Sequence, residues 1–312
     1  MNFNTIIFLG FIFSTTLNAF AQQKEIRYLS GTDNNHTVDW DFFCTGGRNS
    51  GYWTKIAVPS HWEQQGFGSY NYGRDYKTYG KNARFADEKA LYKYSFVVPS
   101  AWRNKKIFIV FEGSMTDTEL KINGKSAGEV HQGAFYRFKY DITNKLSFGT
   151  TNILEASVSK MSADASVNNA ERLADYWILG GIFRPVYLEA VPKEYIDYVA
   201  IDAKADGSFA MQAFVKGINA NRKVLANIVD AKGKIVATVS SAVNSNDSLV
   251  ELRTKISNAL RWTSESPNLY KVIVSLKNGT STVYETTENE RRDSTEDPHA
   301  SWSLHVHRHP VP

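Results

Sequence analysis

The chain has 312 residues, 42% hydrophobic and 22% charged, which is enough apolar material for two packed cores and too much for a disordered polymer. A formal charge of +4, with no dense run of lysine and arginine, leaves no electrostatic footprint for nucleic acid, so none is expected as a partner. The single cysteine, Cys44, excludes an intramolecular disulfide and reads as a small apolar filler, because no activating base lies beside it.

Residues 1–21 carry a short apolar run, Ile6 to Phe13, and end in Ala19-Phe20-Ala21, an A-x-A cleavage pattern. This reads as a secretory signal peptide and predicts export to a periplasm or beyond the cell. No later segment reaches membrane-spanning length, so no membrane span is expected.

Residues 22–190 read as one sandwich. A polar, turn-rich lead-in holds the patch Val38 to Phe43, and Ile56-Ala57-Val58-Pro59 opens a long ordered loop with several exposed rings. Strands are predicted over Leu91–Val98, Lys106–Phe111, Glu119–Ile122, Ala134–Tyr140 and Asn152–Ser159, each alternating or continuously apolar. Asn123-Gly124 after Ile122 is a strong hairpin signal. Met161 to Asp175, with Asn168, Asn169, Glu171 and Arg172, is predicted as loop, and no helical period precedes Ala190.

Asp175 to Leu188 is the stretch on which the functional reading turns. An acid and an indole, Asp175 and Trp177, stand before the Gly180-Gly181 hinge. The following run can face Val186 and Leu188 one way and Tyr187 and Glu189 the other. A loop delivering polar groups to a surface and a strand locking it down is the expectation. Pro185 lacks a ladder donor and predicts an edge strand or a bulge.

Residues 191–289 hold a second series: Val199–Ala203, Ser208–Val215, Val224–Val229, Ile235–Val239, Leu249–Ile256, Lys271–Leu276 and Ser281–Thr286. About seven short strands over some hundred residues is what an immunoglobulin-like sandwich needs. Residues 290–312 have no apolar period and read as an irregular tail. His299, His305, His307 and His309 fall in it, either as a metal-binding run or as a terminal oddity such as a shifted reading frame.

Three blocks carry a resemblance. Val58-Pro59-Ser60-His61-Trp62-Glu63-Gln64-Gln65-Gly66 opens it. Phe111-Glu112-Gly113, Ile122-Asn123-Gly124-Lys125 and His131-Gln132-Gly133-Ala134-Phe135 form its middle. Asp175-Tyr176-Trp177 with Gly180-Gly181-Ile182-Phe183-Arg184 closes it. In order and spacing these resemble the sugar-binding domain of family-two glycoside hydrolases, the β-galactosidase and β-glucuronidase group, across residues 52–190. Leu260-Arg261-Trp262 and Ser266-Pro267-Asn268-Leu269-Tyr270 are similar to the immunoglobulin-like domain that follows in that family.

The resemblance agrees with the strand pattern on the fold: all-β, a jelly-roll-like, galactose-binding-type sandwich followed by an immunoglobulin-like sandwich. It also implies that the catalytic carboxylates belong to a (β/α)₈ barrel, which takes about 250 residues and has no room after Asn289. The chain is therefore expected to be a truncated glycoside hydrolase, inactive alone, with no catalytic residue of its own. Asn289-Glu290 resembles the family's acid/base dipeptide but ends a sandwich strand, so Glu290 is given no catalytic role.

What the resemblance carries over is accessory. In the family's β-galactosidases the Asp before the Trp of the Asp-x-Trp block touches sugar hydroxyls and a bound cation. Asp175 matches it, as a sugar contact and shared cation ligand or as a loop-ordering cap. No cofactor is expected in this chain itself. Trp62 and Trp177 are candidates to stack on a sugar, with core packing as the other role. Tyr70-Asn71-Tyr72-Gly73-Arg74-Asp75 does not match the family's Asn-bearing loop, which leaves galactose open, and Arg74 would suit an acidic sugar. Arg184 is expected to pair with a nearby carboxylate or carbonyl. The alternatives are a stand-alone carbohydrate-binding module using Trp62 to Tyr79, or a docking piece for a separate barrel chain or a second copy.

Overall fold

The structure, a computed structural model, describes residues 23–291. The segment predicted as a signal peptide and the tail histidines lie outside the described residues. The first sandwich is built from β1 (Glu25–Tyr28), β2 (Val38–Cys44), β3 (Trp53–Val58), β4 (Asn71–Tyr72), β5 (Lys89–Val97) and β6 (Lys106–Phe111). It continues with β7 (Thr118–Ile122), β8 (Lys125–Ser126), β9 (Phe138–Asp141), β10 (Thr151–Ser159), β11 (Trp177–Ile178) and β12 (Val186–Val191). Two layers result, a six-stranded sheet β3-β2-β5-β10-β7-β8 and a four-stranded sheet β1-β12-β6-β9. Alternation decides which side chains meet: Trp40, Phe42, Tyr92 and Leu154 from one layer pack with Ile107, Ile109, Phe111 and Leu188 from the other. Asn123 and Gly124 both take positive φ, 53° and 75°, and close the β7–β8 hairpin with Ile122 opposite Lys125.

Several expectations need correcting. The stretch predicted as pure loop contains a helix, α2 (Ala165–Glu171), capped by the Asp164 carboxylate, which accepts from Ser166 N at 2.7 Å. Its one buried residue is the charged Glu171, so it shows no apolar period. A second short helix, α1 (Asp75–Tyr79), interrupts the aromatic loop and buries nothing. The strand predicted from Ala134 begins only at Phe138, because the preceding backbone bonds to side chains. Ala134 N donates to the Glu171 carboxylate at 2.7 Å, and Phe135 O accepts from Arg184 at 3.3 Å. Pro185 marks no edge: β12 lies inside its sheet, between β1 and β6, and the proline stands one residue ahead of it, where no ladder donor is needed.

The second sandwich comprises β13 (Tyr195–Ala203), β14 (Ser208–Lys216), β15 (Arg222–Val229), β16 (Ile235–Val243), β17 (Leu249–Lys255), β18 (Leu269–Asn278) and β19 (Ser281–Arg291). They form sheets β13-β14-β17 and β16-β15-β18-β19. The last strand passes the expected end at Asn289, and Glu290 lies opposite Tyr270 in an ordinary ladder. The faces of β12 divide as the alternation predicts, and both are buried. Val186, Leu188 and Ala190 enter the first core. Tyr187 and Val191 join Phe108 and Val110 in the core of the second sandwich. Lys139 ties the two together from β9, reaching Asp197 at 2.6 Å and Glu189 at 3.7 Å.

Candidate functional site

Two loops meet at one end of the first sandwich, Ser60 to Tyr79 and Ala174 to Arg184. They are joined by β4 and β11, paired antiparallel with Trp177 opposite Tyr72 and Ile178 opposite Asn71. Alternation buries Ile178 fully and turns Trp177 outward, 56% exposed. Gly180 and Gly181 are required where the loops cross. A Cβ on Gly180 would stand 2.1 Å from Cζ2 of Trp62, and Gly181 has φ +125° with Ser60 O 2.6 Å from where its Cβ would be. Trp62 N donates to Gly180 O at 3.2 Å. The Trp62 ring is therefore wholly buried beneath the hinge and cannot stack on a sugar; packing is its role.

Below the loops lies a buried ion cluster. Lys160, fully buried, places Nζ 2.9 Å from Glu63 and 3.2 Å from Glu88, and also donates to Ser69 O. The second Glu63 oxygen accepts from Gly180 N at 2.9 Å. Arg172 donates to Lys160 O at 2.9 Å and to Leu179 O, fastening the hinge from the other side. Burial pushes the Glu63 carboxyl up against the pull of Lys160, lowers the Arg172 guanidinium, and lowers the His61 imidazole, which stacks on Phe183 at 5.2 Å. Lys160 and Glu88 escaped the sequence reading, although a signal exists. The even positions of β10, Asn152 to Val158, point inward and Lys160 is the next; Glu88 likewise precedes Ala90 and Tyr92 of β5.

On this foundation sits an exposed patch. The Asp175 carboxylate is 57% exposed, with Oδ2 3.2 Å from Nη1 of Arg74. The Tyr72 hydroxyl donates to its Oδ1. Trp177 stands edge to face with Tyr70 (5.8 Å) and Tyr72 (5.4 Å), and the Arg48 guanidinium lies over Tyr70 at 5.0 Å. Three of the four predicted residues, Asp175, Trp177 and Arg74, thus come together, while Trp62 lies beneath them. Asn71 is engaged elsewhere: its amide donates to Arg84 O at 3.2 Å and its Oδ1 accepts from Ala86 N at 2.9 Å, which shapes the loop. Arg184 reaches the carbonyls of Glu112 and Phe135. An exposed carboxylate that accepts hydroxyl donors beside an exposed indole face can hold a sugar ring by its edge and its face.

The model of the glycosyl hydrolases family 2 sugar binding domain matches residues 32–192, and a second glycosyl hydrolases family 2 model matches residues 193–289. The chain belongs to glycosyl hydrolases family 2. It is similar to the β-galactosidase of Priestia megaterium, 28% identical over 254 residues, which are 75% of this chain and 24% of that protein. It is similar also to the β-galactosidase of Thermoanaerobacter pseudethanolicus, 27% identical over 59% of this chain and 25% of that one. Among solved structures, Bacteroides uniformis β-glucuronidase has the same fold, with a TM-score of 0.67 at 20% identity over 86% of this chain and 32% of that one. The chain spans about a quarter of the length of the curated relatives it matches.

Retaining hydrolysis needs two carboxyl groups about 5 Å apart on either side of a glycosidic bond. In this family 2 chain Glu63 and Glu88 share one ammonium, but both are buried, where no glycoside reaches them. Cys44 is buried too, its thiol pushed up by burial and donating to Gly46 O at 3.1 Å. The cation role expected of Asp175 finds no full ligand set. Its carboxylate already holds a guanidinium, and the described residues include no cluster of three metal-ligating side chains. The donors of this chain alone do not fit a cation.

Proposed function

We propose that this chain is the sugar-facing, non-catalytic part of a retaining β-glycosidase of the β-galactosidase type, with the carboxylates that cleave the bond lying outside it. The observation that carries the proposal is the Asp175 patch: one exposed carboxylate, oriented by Tyr72 and Arg74, beside the exposed face of Trp177. Asp175 accepts hydrogen bonds from sugar hydroxyls and Trp177 packs on the ring or on its leaving group. Arg74 pairs its Nη1 with Asp175, and the partly neutralised guanidinium favours a neutral sugar over a uronic acid. A catalytic barrel, in the same protein or in a separate chain, would close over this patch. Export through the segment ending Ala19-Phe20-Ala21 belongs to the same proposal.

A chimera tests it. When residues 23–291 replace the matching part of the Priestia β-galactosidase, Asp175→Ala is expected to raise KM for nitrophenyl β-galactoside at least tenfold, with a smaller effect on kcat. An active chimera indifferent to Asp175 would overturn the assignment, and a preference for the glucuronide would overturn the neutral sugar.

A further inference from the structure

The outer face of the six-stranded sheet, away from the loops, carries an ordered grid of side chains. Read across the strands, Trp53, Phe43, Leu91, Ser157 and Glu119 stand opposite one another in a single row. The neighbouring row is Lys55, Asp41, Lys93, Glu155 and Lys121, alternating in sign. Its ion pairs are short: Lys55 to Asp41 at 2.6 Å and Lys93 to Glu155 at 3.1 Å, with Lys121 turned to Glu119 at 3.2 Å. Between and beyond the rows lie two hollows of about 240 and about 270 Å³ that share Ser157 and Glu119. They run together into one groove.

Each end of the groove offers something a ligand would use. At one end Trp53 is 47% exposed, steadied by Phe43 at 5.7 Å and by the Lys93 ammonium at 5.1 Å. At the other end is Asp117, 7% exposed. Its Oδ2 accepts from Ala163 N at 2.7 Å and from Gln132 at 3.2 Å, while its buried Oδ1 has no hydrogen-bond partner among the described residues. Asp87 and Lys89, both exposed, line the same end of the hollow and supply an acceptor and a donor to a ligand's hydroxyls.

We propose that this face is a second carbohydrate site, a groove that holds a neutral, extended oligosaccharide across the sheet. Five strands at a spacing of about 4.8 Å make the row roughly 19 Å long, the reach of several linked sugar rings and not of one. The indole supplies a stacking platform. The paired charges supply donors and acceptors in alternation, which suits hydroxyls and leaves no concentration of positive charge for a polyanion. The groove shares no residue with the Asp175 patch, so the proposal stands apart from that reading.

Native affinity electrophoresis of the 312-residue chain tests it, in gels containing soluble galactan, mannan or β-glucan, with polygalacturonate as the acidic comparison. At least one neutral polymer is expected to retard the chain. Trp53→Ala should weaken retardation at least tenfold, and Glu119→Gln, an isosteric surface change that leaves the fold untouched, at least threefold. Lys232→Ala, in an exposed turn of the second sandwich, should leave it unchanged. Retardation by none of the neutral polymers, retardation by polygalacturonate alone, insensitivity to Glu119→Gln, or loss with Lys232→Ala would each overturn the proposal.

Discussion

Lys160 is the residue on which the loop end depends most. Its ammonium is the common partner of Glu63 and Glu88 in a place without solvent, and Glu63 in turn holds Gly180 N. Removing one member of a buried ionic group leaves the others uncompensated, at a cost of about 3–5 kcal/mol. Lys160→Met is therefore expected to lower the unfolding free energy by that amount in urea titration; a loss under about 1 kcal/mol would mean that water reaches the cluster. His61 gives a pH signature of its own. Burial, reinforced by the nearby Arg172 charge, holds its pKa below the usual 6.5, so the folded chain refuses a proton that the unfolded chain takes. Its contribution is present above pH 6.5 and is lost as the pH falls below it. Glu63, raised by burial, slopes the other way, losing its contribution as the pH rises through its folded value. The His61 part is isolated by comparing wild type with His61→Phe, whose stability should fall less between pH 7 and pH 5. Parallel curves would contradict the shift.

At the scale of elements, the hinge, the two-residue strands and the inner strand β12 form one device. The Gly180 backbone presses against the Trp62 ring so that β11 can turn Trp177 outward, and β12 then carries the chain between the two cores. Gly180→Ala should cost about 1–3 kcal/mol, since the ring cannot retreat from a filled interior. Trp62→Phe removes the ring atoms that the new methyl would meet. In thermal unfolding the double variant should therefore be more stable than the sum of the single losses by about 1 kcal/mol or more. Strict additivity would show that the close approach is not the reason for glycine.

Much of this level was legible because strands announce themselves locally. The alternation of Leu91 to Val97, the Asn123-Gly124 turn and the seven strands after Tyr195 follow from neighbouring residues alone. What escaped was non-local. Whether Trp62 is a platform or a core ring depends on Gly180, far along the chain, and whether Pro185 marks an edge depends on β1 pairing outside it. Helix α2 stayed hidden because the side chain it buries is a glutamate. At the candidate site, Asp175 and Trp177 stood out by chemistry. Arg74 stood out with them, but its pairing with Asp175 emerged only once β4 lay beside β11.

For the whole molecule, the two sandwiches are not beads on a string. Phe108, Val110, Tyr187 and Val191 leave the four-stranded sheet to pack into the second core, and Lys139 bridges the seam. The loop end, with Asp175, Trp177 and the cluster beneath it, is thereby held on a rigid two-layer support. The hydrolysis of nitrophenyl β-galactoside and β-glucuronide by the purified 312-residue chain is the most direct measurement. No turnover above a heat-denatured control is the predicted result. Turnover that is abolished by changing a carboxylate within residues 23–291 would contradict the account.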